Sequence, residues 1–172
     1  DDEPTSLRIY GELSSDPVQF STNAGDITSR KKTTAFVDWN DIPIWDADSI
    51  GVAGPDQLTP DLSAIVQEIV GQSGWGGGAM AFIIVANPGG ERTAESFDGD
   101  EAAAPLLHID YTVTPGGSVD VRVASGLDDA EEHVTEANAI DITSSDLELP
   151  DEGGGGDLQE IGIRFQNIAV PA

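Results

Sequence analysis

Leu106-Leu-His-Ile-Asp-Tyr-Thr-Val113 alternates apolar and polar side chains along its length. A period of two is typical of a β-strand that has one face in the core. Ser118-Val-Asp-Val-Arg-Val123 repeats the alternation after a short Pro-Gly-Gly segment. Strand character also occurs in residues 6–13, 34–39, 80–85, 139–143 and 160–170. Many short strands with glycine-rich connections predict an all-β chain, folded as a jelly-roll-like antiparallel β-sandwich.

One segment has the period of a helix instead. Thr59 offers an N-cap hydroxyl, Pro60 suits the first helical position, and Gly71 is a typical stop. The apolar residues between them are spaced i, i+3, i+4, i+7 and i+8: Leu62, Ile65, Val66, Ile69 and Val70. The spacing predicts one α-helix over residues 60–70, packed on the β core.

The charge of the chain excludes several classes of protein. Its 172 residues include 32 acidic and 7 basic side chains, for a formal net charge of −25, and no cysteine. Disulfide frameworks and thiolate metal sites need cysteine, and nucleic-acid binding needs clustered Lys and Arg. The longest apolar run, residues 79–86, is far shorter than the roughly 20 residues of a membrane span. We expect an acidic protein outside the cell, in salty, calcium-containing water, with no nucleic-acid partner and no membrane insertion.

The densest acidic motif, Asp128-Asp-Ala-Glu-Glu132, suggests a cation site. Calcium takes six to eight oxygen ligands, which clustered carboxylates supply. Asp98-Gly-Asp-Glu101 is a second acidic loop, and the first and last strands of a jelly roll can lie together. The predicted calcium ligands are Asp98, Asp100, Asp128, Asp129 and Glu131. The alternative is a solvated acidic face, and neither loop has the EF-hand spacing.

Neither catalysis nor sugar binding has a strong motif. There is no Gly-x-Ser-x-Gly elbow, and His108 lies in an alternating strand, so we predict no enzyme activity. Sugar rings stack on exposed aromatic side chains, and Trp39 and Trp45 flank a polar turn that would present them. Core packing is nevertheless the favoured interpretation for both, and sugar stacking is the alternative. The basic cluster at residues 30–32 could contact an anionic polysaccharide or an acidic subunit, or be a solvated turn.

Two sets of segments resemble a known domain. Residues 57–75, 91–98 and 104–111 resemble the second part of a recurrent jelly-roll repeat domain of large secreted bacterial multidomain proteins. Residues 123–132, 144–149 and 161–172 resemble its first part. The chain is more distantly similar to DNRLRE-type jelly rolls, which are related to carbohydrate-binding modules. The two parts stand in permuted order.

The resemblance implies a domain organisation and a function. Residues 1–113 would be the second part, residues 114–117 a loop or linker, and residues 118–172 the first part of the same or of a neighbouring domain. A window cut from a tandem array, a circular permutant and strand sharing between subunits are the three alternatives. The expected function is a non-catalytic extracellular building block of a bacterial filament, matrix or adhesin, assembling head to tail with copies of itself or adjacent repeats and stabilised by calcium. The alternative is a carbohydrate-binding module of a secreted enzyme or adhesin, with polysaccharide as partner.

Overall fold

The computed structural model describes residues 4–45, 52–87, 90–112, 116–152 and 156–172. The strands are β1 Thr5–Glu12, β2 Lys32–Ile42, β3 Gly78–Asn87, β4 Arg92–Glu95, β5 Leu106–Tyr111, β6 Gly117–Arg122, β7 Asp129–His133, β8 Ala139–Asp141, β9 Asp146–Leu149, β10 Asp151–Glu152 and β11 Asp157–Ile168. The single α-helix of the described residues is α1, Ser63–Val70. The predicted all-β antiparallel sandwich with one packed helix is confirmed.

Seven strands form one antiparallel sheet in the order β2-β1-β3-β11-β7-β8, with β10 attached to β11. Its centre joins the two predicted parts of the chain, because β3 pairs with β11 and places Ile84 opposite Ile161. Residues 1–113 and 118–172 therefore contribute strands to the same sheet. Residues 114 and 115 of the predicted 114–117 loop lie outside the described residues, and Gly117 is the first residue of β6.

The inner face of this sheet carries the main core. The register places Leu7, Ile9, Ile84 and Ile161 on this face, and all four are buried. Three elements pack against it: α1, the two-stranded ribbon β4–β9 and the two-stranded ribbon β5–β6. The second layer of the sandwich therefore consists of two separate ribbons and a helix rather than one continuous sheet.

Residues 13–31, which we call the strap, connect β1 to β2 across part of the outer face. Phe20 and Ile27 of the strap pack with Ile83 and Ala130 in a second, smaller core. Gly162 makes this approach possible, since a Cβ there would lie 2.5 Å from the Phe20 ring. The lack of a side chain at Gly162 thus lets the distal atoms of the Phe20 ring approach the sheet backbone closely.

Arg30 stabilises the strap through contacts with Phe20, Glu12 and Asp26. Its guanidinium lies 4.2 Å from the centre of the Phe20 ring and forms ion pairs with Glu12 and Asp26. Lys32, at the end of the same basic cluster, pairs with Glu160 at 3.0 Å. Two of the three cations at residues 30–32 are therefore engaged inside the molecule.

The helix differs from its prediction at one end. It ends at Val70, before Gly71, as predicted, but begins at Ser63 rather than at Pro60. The Asp61 carboxylate accepts hydrogen bonds from the Ser63 amide (2.8 Å) and hydroxyl (3.0 Å). This side-chain turn holds residues 60–62 outside the helix, because aspartate competes for the backbone donors of a helix start.

Candidate functional site

Strand β7 buries acidic side chains on both of its faces. Asp128, Asp129, Glu131 and Glu132 are each 3 % exposed or less. Asp129 and Glu131 lie opposite Ile163 and Ile161 of β11, on the inner face of the sheet. Because successive side chains alternate, Glu132 lies on the outer face. The acidic motif that predicted a cation site therefore belongs to an interior strand, and its alternative, a solvated acidic face, does not describe these four side chains.

The outward carboxylates have structural partners. Glu132 accepts hydrogen bonds from the amides of Ile27 (2.7 Å) and Thr28 (2.8 Å) and from the Thr28 hydroxyl, and so anchors the strap. Asp128 accepts from Arg164 Nη1 at 2.5 Å and from the Gln166 side-chain amide. Asp128 is thus tied to β11 by a buried ion pair.

The inward carboxylates lie in a less favourable environment. Burial raises the pKa of Asp129 to about 6. The Phe97 amide donates to the Asp129 carboxylate at 2.8 Å and opposes this shift. The charges of Asp98 and Asp128 raise the pKa further. Burial also raises the pKa of Glu131 well above its ordinary range, and a hydrogen bond with the Glu148 carboxyl acts in the same direction. This geometry favours the protonated form of Glu131, because burial and a neighbouring carboxylate both disfavour its charge.

Loops from three parts of the sequence meet beside these two acids. Asp98 packs against Gly126, where a Cβ would lie 2.1 Å from a carboxylate oxygen. The Ser96 hydroxyl donates to the Ser144 carbonyl at 2.6 Å. Burial raises the pKa of Glu95, and the charges of Asp100 and Asp146 add to this shift. We call the following residues the acidic cluster: Glu95, Asp98, Asp100, Asp129, Glu131, Asp146 and Glu148.

The structure distributes the five predicted calcium ligands over this region. Asp98 and Asp129 interact electrostatically, and Glu131 lies two residues along the same strand face. Asp100 accepts a hydrogen bond from the Ala102 amide within its own loop, at 2.9 Å. Asp128 is engaged by Arg164 instead. In the described part of the chain, no three acidic or histidine side chains form a group that could hold a metal ion.

Three members of the cluster were missed from the sequence. Glu148 and Asp146 belong to β9, and Glu95 to β4. The alternation of Asp146-Leu-Glu-Leu149 is the signal for β9, because Leu147 and Leu149 are buried in the core. Nothing in the four residues of β4 indicates its pairing with β9.

The predicted sugar-stacking tryptophans are placed in and beside the core. Trp39 is only 7 % exposed, and the Trp45 ring centre lies 6.0 Å from that of Trp39. Trp45 is half-buried and donates from Nε1 to the Asp56 carbonyl at 3.0 Å. Trp75 packs in the core and donates from Nε1 to the Val170 carbonyl at 2.9 Å. Core packing, the favoured interpretation for Trp39, is what the structure has.

The two histidines have carboxylate partners. His108 is exposed on the β5–β6 ribbon, with Nδ1 2.6 Å from Asp120 and Nε2 3.3 Å from Asp110. These two carboxylates, Asp120 first, raise the pKa of His108. His133 Nδ1 lies 3.3 Å from Asp157. The absence of enzyme activity stays a prediction.

Comparisons of the chain with known proteins identify no family for it. No protein-family model, curated protein or solved structure matches the chain. The resemblance to secreted jelly-roll repeat domains therefore stays a prediction. Within the described residues, no helix combines the length and the apolar character needed to cross a membrane.

Proposed function

We propose that the chain is a non-catalytic extracellular building block, a repeat or subunit of a bacterial surface filament, matrix or adhesin. Copies add head to tail, and calcium stabilises each of them. The observation that carries this proposal is the β5–β6 ribbon, which has unpaired strand edges in the second layer of the sandwich.

The ribbon is paired only within itself. Its six residue pairs run from Leu106 opposite Arg122 to Tyr111 opposite Gly117. Among the described residues, neither strand makes a backbone hydrogen bond outside this ladder; the nearest one joins the Val123 amide to the Pro105 carbonyl. An edge of this kind presents a row of donors and acceptors to which another strand can add.

Side chains cover both ends of β2, one of the two edge strands of the large sheet. Glu68 of α1 accepts the amides of Thr34 (2.9 Å) and Ala35 (2.7 Å) near one end of β2. Arg92 donates to the carbonyls of Ile42 (2.7 Å) and Pro43 (2.6 Å) at the other end. Proteins cover the strand edges that they do not use. The contrast favours β5–β6 as the edge used for assembly.

Addition of a strand from one copy to the ribbon of the next is a heterologous contact, and such contacts propagate into filaments unless they close. Each copy carries a net charge of −25, so like charges oppose the contact at low ionic strength. A divalent cation on the acidic cluster would lower this repulsion. No three acidic side chains of the described residues are already grouped around a metal position, so calcium would have to draw carboxylates of the acidic cluster together as ligands.

The test is negative-stain electron microscopy of calcium-loaded protein, together with sedimentation. Regular fibres with a repeat near the length of one domain are expected, and dispersed particles would contradict the proposal. Ser118→Pro and Val119→Pro form a matched pair, because adjacent strand amides point to opposite edges. The variant whose lost amide belongs to the β5–β6 ladder should have a lower melting temperature. The variant whose lost amide points to the free edge should keep a melting temperature near that of the wild type and should lose the fibres. Fibres that persist in both variants would rule out this edge.

A further inference from the structure

The outer face of the β5–β6 ribbon places a histidine between two carboxylates. His108 and Asp110 lie on the same face of β5, because side chains two residues apart point to the same side of a strand. The register places Asp120 of β6 directly opposite His108. The side chains of His108 and Asp110 are 54 % and 79 % exposed, whereas Leu107 and Ile109, which alternate with them, are buried in the core. This face therefore presents one imidazole and two carboxylates to solvent.

Asp120 fixes the tautomer of the imidazole. Its carboxylate lies 2.6 Å from Nδ1 of His108, and a carboxylate at this distance accepts the proton that Nδ1 carries. In the neutral ring the other nitrogen, Nε2, then has a free lone pair. A carboxylate on one ring nitrogen is the usual partner of a histidine that binds a metal ion with the other nitrogen.

Asp110 lies at this second nitrogen, at a distance that suits a shared metal ion. Its Oδ2 is 3.3 Å from Nε2 of His108, which is longer than an ordinary N–H···O hydrogen bond of roughly 2.7–3.2 Å. Two ligands that bind one zinc ion at about 2.0–2.1 Å, at the tetrahedral angle, are separated by about 3.3 Å. The pair therefore has the spacing of two neighbouring zinc ligands, one nitrogen and one oxygen.

A single copy of the chain supplies only half of such a site. Asp120 lies at the opposite ring nitrogen and is therefore not a ligand of the same ion, which agrees with the lack of any three-ligand group among the described residues. Tetrahedral zinc takes four ligands. A second copy, related by a two-fold axis through the ion, would bring the same pair of ligands, so that each copy completes the site of the other.

We propose that the outer face of the ribbon is a zinc half-site, and that one zinc ion joins two copies of the chain through His108 and Asp110 of each. Imidazole ligands favour zinc, whereas calcium and magnesium prefer oxygen ligands. Two neutral imidazoles, two carboxylates and one Zn²⁺ have no net charge, so the ion offsets the like charges that meet at this contact. Leu106, which is 48 % exposed two residues before His108 on the same face, would be covered by the second copy.

This site goes beyond the proposed filament and does not depend on it. The zinc contact uses the face of the ribbon, whereas strand addition uses its edges, which lie at right angles to that face. Both contacts can therefore form on one copy. In the proposed filament, the ion would join two filaments side by side.

Sedimentation velocity and isothermal titration calorimetry in calcium-free buffer test the site, with ZnCl₂ as the probe and MgCl₂ as the hard-cation control. We expect ZnCl₂ to convert the monomer into a dimer with one ion per two chains, EDTA to reverse this, and MgCl₂ to leave the monomer. His108→Asn and Asp110→Asn should lose the dimer. Asp120→Asn should keep the stoichiometry but weaken zinc binding by about 10–100-fold, because it changes the partner of a ligand rather than a ligand.

Two variants are matched controls. Asp56→Asn removes an exposed carboxylate outside the ribbon, and His133→Asn removes the other histidine of the chain; both should form the zinc dimer like the wild type. Charge alone cannot produce the expected result, since Asp110→Asn removes a negative charge from a chain of net charge −25 and would by itself favour association. Melting temperatures near that of the wild type verify that the variants are folded.

Three results would overturn this inference. The first is a protein that stays monomeric in ZnCl₂. The second is one zinc ion per chain without a dimer, which would make the site complete in a single copy. The third is a zinc-dependent dimer that persists in His108→Asn, which would assign the ion to carboxylates elsewhere. The fibre assay uses calcium and variants at the ribbon edge, so failure of either proposal can be told from failure of the other.

Discussion

The packing of Phe20 on Gly162 can be tested by a double-mutant cycle. A Cβ at position 162 would lie 2.5, 2.6 and 3.1 Å from three atoms of the Phe20 ring. Contacts this short cannot relax without moving the ring, so Gly162→Ala should lower the free energy of unfolding by about 1–3 kcal/mol. Phe20→Ala removes a ring that is 2 % exposed and should cost about 3–5 kcal/mol.

The double variant should be more stable than the sum of the single effects predicts. In Phe20→Ala the space above Gly162 is empty, so the added methyl group meets no ring and partly fills the cavity. We expect a coupling free energy of about 1–3 kcal/mol between the two sites. Urea titrations followed by tryptophan fluorescence measure it, because all three tryptophans lie outside the strap. Effects that add within about 0.5 kcal/mol would refute this packing of the strap on the sheet.

Three further predictions concern carboxylates. Folding raises the pKa of Asp129 to about 6. The folded state therefore retains a proton that the unfolded chain loses near pH 4. The free energy of unfolding falls as the pH rises from about 4 to about 6, because the buried carboxyl then loses its proton in the folded state too. In metal-free buffer, Asp129→Asn should therefore be more stable than the wild type by up to about 3 kcal/mol at neutral pH and about equal to it near pH 4; denaturant titrations at both pH values check this, and a difference that does not depend on pH would contradict it. Calcium at about one hundred times its dissociation constant should raise the unfolding free energy by about 2.7 kcal/mol, and Asp129→Asn should remove most of this gain; a melting temperature that calcium leaves unchanged rules out the site. Glu68→Ala should release the amides of Thr34 and Ala35, lower stability by about 1 kcal/mol and increase aggregation seen by light scattering. Glu136→Ala is the control, because Glu136 is exposed and lies away from β2; equal behaviour of the two variants would show that the Glu68 cap is dispensable.

Hydrophobic periodicity predicts the strands in which apolar side chains are buried and polar side chains face solvent. β1, β5 and β6 alternate because one face meets the core and the other meets solvent, and β3 is a continuous apolar run because both of its faces are covered. The helix is predictable for the same reason, since its apolar stripe packs on the sheet. Its start is not, because Asp61 captures the first donors by a local side-chain turn.

Strand β7 could not be predicted from its own residues. A run of buried acids is tolerated only where distant groups satisfy it, and those groups are remote in sequence. Arg164 reaches Asp128 across 36 positions, and the Ile27 amide reaches Glu132 across 105. The candidate site was therefore located only in part, from the grouping of its acids and not from their environment.

The position of β11 has a consequence for how the chain folds. It is the last of the eleven strands in sequence, yet it lies between β3 and β7 in the middle of the sheet. Until it is present, β3 has no neighbour on that side, and Gly162 is not available beneath Phe20. Such long-range pairing closes large loops and slows folding. We expect an emerging chain to remain largely unfolded until β11 is synthesised, after which sheet, strap and acidic cluster form together in one cooperative step.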